Sequence, residues 1–231
     1  MPGTALLWIP GLGCDGDYYA DIQNELPPDM RGSIVDISEA KTLTEMAETV
    51  IDRIIGPTVL VGGSMGGWVA QRVAAMAQDR ISTLILLTTW ARRRLELESY
   101  LNNALALMEA SPPRPDQVHE MTAKSFHPNT VSPAQIQRMM DMGNKIGPDI
   151  TRTHINAILN QPSVDDLHLH IKVPALVFGA THDALVNSDE ARFIAQSLPG
   201  SRLVMLDAGH TCGWEHPKLI ADEMLTWIQN Q

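Results

Sequence analysis

The chain has 231 residues, 44% of them hydrophobic and 19% charged, and carries a formal net charge of −10. That length suits one domain with a full core, and the negative charge argues against nucleic acid and anionic membrane surfaces as partners. No apolar run approaches the roughly 18 residues of a membrane span, Met1-Pro2-Gly3-Thr4 lacks a basic secretory segment, and two cysteines, Cys14 and Cys212, are too few for a disulfide framework, so a cytoplasmic protein with reduced thiols is expected.

Ala5 to Ile9 reads as a strand and is followed by a loop holding Gly11, Gly13 and Gly16. Tyr18 to Leu26 reads as a short helix stopped by Pro27-Pro28. Ser33 to Ile37 is the next strand. Thr42 and Glu45 have capping-box spacing. The helix they open puts Leu43, Met46, Ala47, Val50, Ile51, Ile54 and Ile55 on one face and ends at Gly56-Pro57. Thr58 to Val61 is short, apolar and rich in β-branched residues, as a buried strand is. Gly62-Gly63-Ser64-Met65-Gly66 follows and fits G-x-S-x-G. Trp68 to Ala77 then reads as a helix. A serine on a tight strand-to-helix turn is a nucleophile elbow. Its glycines serve sterics, because side chains there would strike the adjacent strand and helix. Ile81 to Thr88 is a further buried strand.

The pattern changes after Trp90. From Ala91 to about His170 the chain is helical in composition but broken by prolines 112, 113, 115, 128, 133, 148 and 162. We read residues 91–170 as a cap insertion of three or four helices, and 1–90 with 171–231 as the core. Alternation then resumes. Val173 to Phe178 and Arg202 to Leu206 are strands. Ser188 to Leu198 and Pro217 to Gln229 are helices, and Pro217 suits a first helical turn. Strands alternating with helices give an α/β fold with a mostly parallel, doubly wound sheet of about six strands. Sites in such sheets form at the carboxyl ends of the strands.

A serine hydroxyl near neutral pH needs a base, and the base needs an orienting carboxylate. His210 is the strongest base candidate among the eight histidines, because it follows the last strand. His182, also on a post-strand loop, is its rival. His216, beside Pro217, supports the loop. Asp183 is the favoured orienter, and Asp207 competes. Asp207 lies three residues from His210, and groups that close in sequence rarely aim at one another. An oxyanion hole needs two backbone N–H groups. Met65 supplies one, and Leu12 of the first glycine loop the other. Phosphate binding by that loop fails on detail, having neither G-K-[ST] nor G-x-G-x-x-G. The chemistry asks for no metal and no cofactor.

The order Ser64, Asp183, His210 resembles that of the α/β-hydrolase fold superfamily. So do the Pro10-Gly11-Leu12-Gly13 loop, the Ser64 elbow, the segment from Val173 to Asp183, and the ending from Ala208 to Pro217. The resemblance implies an eight-stranded sheet capped between strands six and seven, with the first two strands absent here. It also implies a serine esterase cleaving a small or medium carboxylic ester, methyl esters included. Thioester, lactone and C–C bond hydrolysis share the triad. Dehalogenases and epoxide hydrolases of this kind carry aspartate where Ser64 stands. A ligand-binding sensor without turnover is the reading from another class, and the intact Ser64, Asp183 and His210 weigh against it.

The insertion holds Met108, Met121, Met139, Met140 and Met142, as cap packing or as a plastic acyl pocket. Trp90 either walls that pocket or anchors the cap. Arg92-Arg93-Arg94 reads as a solvated charge run, with recognition of a substrate carboxylate or an acidic carrier as the alternative. A monomer or weak homodimer acting on a small-molecule ester is expected.

Overall fold

The structure, a computed structural model, describes residues 5–111 and 114–231. Prolines 112 and 113 and the first four residues lie outside that description. Among the described residues are the strands β1 (Ala5–Ile9), β2 (Ser33–Ile34), β3 (Thr58–Gly63), β4 (Ile81–Leu87), β5 (Ala175–Ala180) and β6 (Arg202–Leu206). They form one six-stranded sheet in the order β2-β1-β3-β4-β5-β6. Every pairing is parallel. Parallel neighbours need crossovers, and helices supply them.

Those helices are α1 (Asp17–Glu25), α2 (Leu43–Arg53), α3 (Met65–Ala77), α8 (Asp189–Ser197), the short α9 (Cys212–Glu215) and α10 (Pro217–Gln229). Between β4 and β5 lie α4 (Leu95–Met108), α5 (Pro115–Ala123), α6 (Pro133–Ile146) and α7 (Pro148–Leu159). Side chains of successive strand residues point to opposite faces. Leu7, Ile9, Leu60, Leu84, Leu86 and Val177 pack with α2, α3 and α8. Leu6, Trp8, Val61, Ile85, Leu87 and Phe178 pack with α1 and α10. Both faces are therefore buried, which explains why the strands read as apolar runs without alternation.

Several boundaries move for local reasons. β2 is short: Val35 N–H still reaches Trp8 O at 2.9 Å, and the chain then turns at Asp36, whose carboxylate accepts Ser38 N–H at 3.0 Å. β5 starts at Ala175 because Pro174 has no N–H to give. In the insertion, Pro115, Pro133 and Pro148 open α5, α6 and α7. A first helical turn tolerates proline because its N–H has no partner there anyway. So these prolines punctuate four helices. Ala91 and Val164 close the base of the insertion through a 2.8 Å backbone bond.

One insertion-boundary histidine is part of the core. His168 is buried and bridges Ser197 Oγ (2.6 Å) and Gln71 Oε1 (2.8 Å). Gln71 gives its amide N–H groups to the carbonyls of Gly67 and Trp90, both at 3.0 Å. Its oxygen is thus fixed as an acceptor, and His168 carries its proton on Nε2. Burial lowers the His168 pKa from 6.5 to about 4. An unfolded chain takes up a proton near pH 6.5 that the folded chain refuses until about pH 4. Stability is therefore full above that window and falls as the pH drops through it, by roughly 3 kcal/mol. Denaturant titrations across the window should show a shallower acid arm in His168→Gln than in wild type. Equal slopes would remove His168 as the cause.

The strand order fixes where a site can form. From β1 the chain steps outward to β2, then returns to the other side of β1 as β3. The topological switch point therefore lies between the carboxyl ends of β1 and β3. The glycine loop leaves β1 there, and Ser64 leaves β3.

Candidate active site

Ser64 sits between β3 and α3 with φ 51° and ψ −121°. That conformation costs a non-glycine residue about 1–3 kcal/mol. It turns the chain sharply enough for α3 to begin at Met65, three residues before the Trp68 start read from sequence. Two glycines make the turn possible. A Cβ on Gly62 would meet Gly66 O at 2.3 Å, and one on Gly66 would meet Ile9 O at 2.0 Å. Tyr19 ties the two strand ends together. Its hydroxyl donates to Ile9 O (2.6 Å) and accepts from Gly63 N–H (2.8 Å). The sequence places this tyrosine on a helix and shows nothing of its role. A buried phenol beside glycine loops is the signal that could have found it.

Ser64 Oγ lies 2.9 Å from His210 Nε2. His210 Nδ1 lies 2.8 Å from Asp183 Oδ2. The other Asp183 oxygen accepts the N–H groups of Leu185 (2.9 Å) and Val186 (2.8 Å). The Asp183 side chain is 1% exposed and that of Asp207 is 80% exposed. So the carboxylate that meets His210 is buried and aimed by its own loop. The two rivals from sequence pair with each other instead, His182 Nε2 lying 3.0 Å from Asp207 Oδ1. His216 Nε2 bonds Asp207 O at 3.0 Å, the loop support read for it.

Glu215 holds the His210 loop from below. Its carboxylate accepts from Gly209 N–H (3.1 Å), Thr211 Oγ1 (3.1 Å) and His127 N–H (3.1 Å). The sequence marked it only as part of a motif. Its reach to both neighbours of His210 depends on α9, which has no periodicity to read.

Leu12 and Met65 both border the site. Met65 opens α3, so its N–H has no carbonyl one turn back. The positive end of the helix lies there too. Leu12 lines, with Ser64 and His210, a cavity of about 120 Å³. Trp90, Leu97, Leu101, Met139 and Ile158 give it apolar walls, and Tyr100, Thr122 and Ser125 add hydroxyl-bearing side chains. Met139, on α6, lines it. Met108, Met121 and Met140 pack partly buried against the core, and Met142 is buried. Cys14 also lines the cavity. Burial, with the nearby Asp15 charge, pushes its thiol up to about 12, so it stays protonated and a poor nucleophile at neutral pH. Burial pushes Cys212 up as well. Both thiols are free.

Of the arginine triplet, Arg93 is solvated as read from sequence, while Arg92 and Arg94 are not. Arg92 and Arg94 clamp the buried carboxylate of Glu190, Arg92 Nη2 at 2.6 Å. Burial alone would raise that carboxyl. The N–H groups of Arg92 and Ala91 and both guanidinium groups outweigh burial and lower it. Arg92 also stacks 3.9 Å from the Phe193 ring. Arg93 pairs with Glu98. Arg92 and Arg94 thus fasten the chain after β4 to α8 and are taken up internally, while Arg93 stays on the surface.

His127, His182 and Asp207 lie close enough to suggest a cation site. His127 Nδ1, however, accepts Asn129 N–H at 3.1 Å. A metal on Nε2 would place the proton on Nδ1, facing that donor. The cluster is built for hydrogen bonds.

The profile of the alpha/beta hydrolase fold matches residues 6–217. The chain belongs to that family. Among curated relatives of this α/β-hydrolase is the pimeloyl-[acyl-carrier protein] methyl ester esterase of Neisseria meningitidis serogroup A, 26% identical across 92% of this chain and 73% of that protein. An enol-lactonase from Burkholderia xenovorans superposes with a TM-score of 0.86 at 22% identity, covering 98% of this chain and 92% of its own. A thermophilic esterase from Thermogutta terrifontis gives 0.83 at 24% identity, covering 99% and 90%. These likenesses show the α/β-hydrolase fold. No helix among the described residues is long and apolar enough to cross a membrane.

Proposed function

We propose that this α/β-hydrolase is a serine esterase that cleaves a small carboxylic ester through an acyl-enzyme on Ser64. The observation that carries the reading is the continuous chain from Ser64 Oγ through His210 to the buried Asp183, with contacts of 2.9 and 2.8 Å. Ser64 Oγ attacks the ester carbonyl carbon, and His210 Nε2 takes the hydroxyl proton. Asp183 accepts the bond from Nδ1–H and so holds the ring in the right tautomer. The carbonyl oxygen, now negative, takes hydrogen bonds from the N–H groups of Leu12 and Met65. One such donor is worth about 10²–10³ in rate. The C–O bond then breaks, and the alcohol leaves with the proton from His210. A water, deprotonated by the same nitrogen, cleaves the acyl-serine to the free acid and restores Ser64.

Cavity size and charge narrow the substrate. About 120 Å³ is well below a drug-sized pocket. A short acyl chain fits, with Trp90 as one wall. The Neisseria relative is named for a carrier-bound methyl ester. Here the net charge is −10 and Arg92 and Arg94 are paired with the buried Glu190, which favours a free ester over one on an acidic carrier. Residues 91–170 act as the cap, and a cytoplasmic location suits the two free thiols. Assay with p-nitrophenyl acetate, butyrate and octanoate tests the reading. Wild type should prefer the shorter esters, and Ser64→Ala should lose about 10⁴-fold or more. Equal rates in the two proteins would remove Ser64 from the reaction.

A further inference from the structure

Ser64 and His210 stand 146 residues apart in sequence, yet a 2.9 Å contact must be kept between their side chains. Three consecutive residues at the end of β4 reach both of their main chains. Leu87 O accepts Ser64 N–H at 2.9 Å. Thr89 Oγ1 donates to Ser64 O at 2.7 Å. Thr88 Oγ1 donates to His210 O at 2.9 Å. Thr88 is 3% exposed and Thr89 1%, so water competes for neither bond.

The backbone is bent to allow this. Among the described residues, two besides glycines have positive φ: Ser64 at 51° and Thr88 at 43°. For a β-branched residue that is a genuine outlier. Consecutive strand residues send their side chains to opposite faces. The bend at Thr88 lets neighbouring hydroxyls serve the two backbones that must meet. Strain of this kind persists where the surroundings over-determine it, and it clusters at functional sites. Here Thr88 N–H is also held, by Phe178 O at 2.9 Å. A carbon on Gly67 would come 2.6 Å from Thr89 Cβ, so α3 packs directly on Thr89.

We infer that Thr88 and Thr89 are positioning residues that set the gap between nucleophile and base. The inference rests on the serine esterase reading above. Neither side chain touches the reacting atoms. They act by fixing the carbonyls of His210 and Ser64, and a misplacement near 1 Å can cost about 100-fold in rate.

Valine keeps the shape of threonine and removes the hydroxyl, and serine restores the hydroxyl. Thr88→Val and Thr89→Val should each lower kcat on p-nitrophenyl acetate by about 10–100-fold, with KM within about twofold. Thr88→Ser and Thr89→Ser should recover kcat to within about threefold of wild type. A second readout needs no substrate: the low-field proton resonance of the His210–Asp183 bond should shift or broaden in Thr88→Val and return in Thr88→Ser. Valine variants with wild-type kcat, or serine variants as slow as valine ones, overturn the inference. A wild-type protein inert toward every ester defeats the esterase reading instead. The resonance then decides alone, and an unchanged signal in Thr88→Val overturns the positioning role.

Discussion

Asp183→Asn is expected to lower kcat by about 10³–10⁴-fold, while Asp207→Asn stays within about threefold of wild type. The difference comes from what each carboxylate touches. Asp183 meets His210 Nδ1 at 2.8 Å and is 1% exposed. An asparagine there offers an oxygen or an amide, and the loop decides which. Leu185 and Val186 N–H groups claim the inner oxygen position. The amide nitrogen then faces Nδ1 and selects the tautomer with the proton on Nε2, which cannot accept from Ser64. Asp207, 80% exposed and paired with His182, has no such path to the base. Kinetics of the two variants on p-nitrophenyl acetate separate the cases. A large loss in Asp207→Asn alone would reverse the assignment.

The second large effect is structural. Gly66→Ala should destabilise the fold by about 4 kcal/mol or more, lowering the melting temperature by roughly 10 °C. A Cβ at Gly66 meets Ile9 O at 2.0 Å, Ile9 C at 2.7 Å and Pro10 O at 2.8 Å. All three are backbone atoms, so no rotamer change relieves the clash. Either α3 or the end of β1 must move, and both border the site. Gly143 is the control. It lies inside α6 with nothing within 4 Å of an added Cβ. Alanine there should be neutral or stabilising by up to about 1 kcal/mol. Thermal melts of the two variants check both statements. Similar melting temperatures for both would mean that packing at the elbow is looser than these distances imply.

Much of this architecture was legible in the chain itself, and the reason is local. Buried parallel strands such as Thr58 to Val61 announce themselves by β-branched apolar runs. Glycines such as Gly62 and Gly66 mark a turn that nothing larger can make. The spacing of Asp207, three residues from His210 on one loop, tells against it because residues so close seldom converge. Less legible were contacts that depend on two distant segments. Nothing around Tyr19 says that its hydroxyl joins Ile9 to Gly63. Arg92 and Arg94 look solvated until α8 brings Glu190 against them. Thr88 read as an ordinary strand residue, because a strained φ leaves no mark in composition. The stretch between β4 and β5 reads as helical from its composition. Its prolines looked like interruptions, yet they start the helices.

The central claim is acyl transfer through Ser64. Its most direct measurement is rapid mixing with p-nitrophenyl acetate, acid quench, and mass analysis of the peptide that holds residue 64. The account predicts a burst of p-nitrophenol matched by an acetyl adduct on Ser64, absent in Ser64→Ala. Turnover of the ester with no adduct on that peptide, or an adduct elsewhere that tracks the burst, would contradict it.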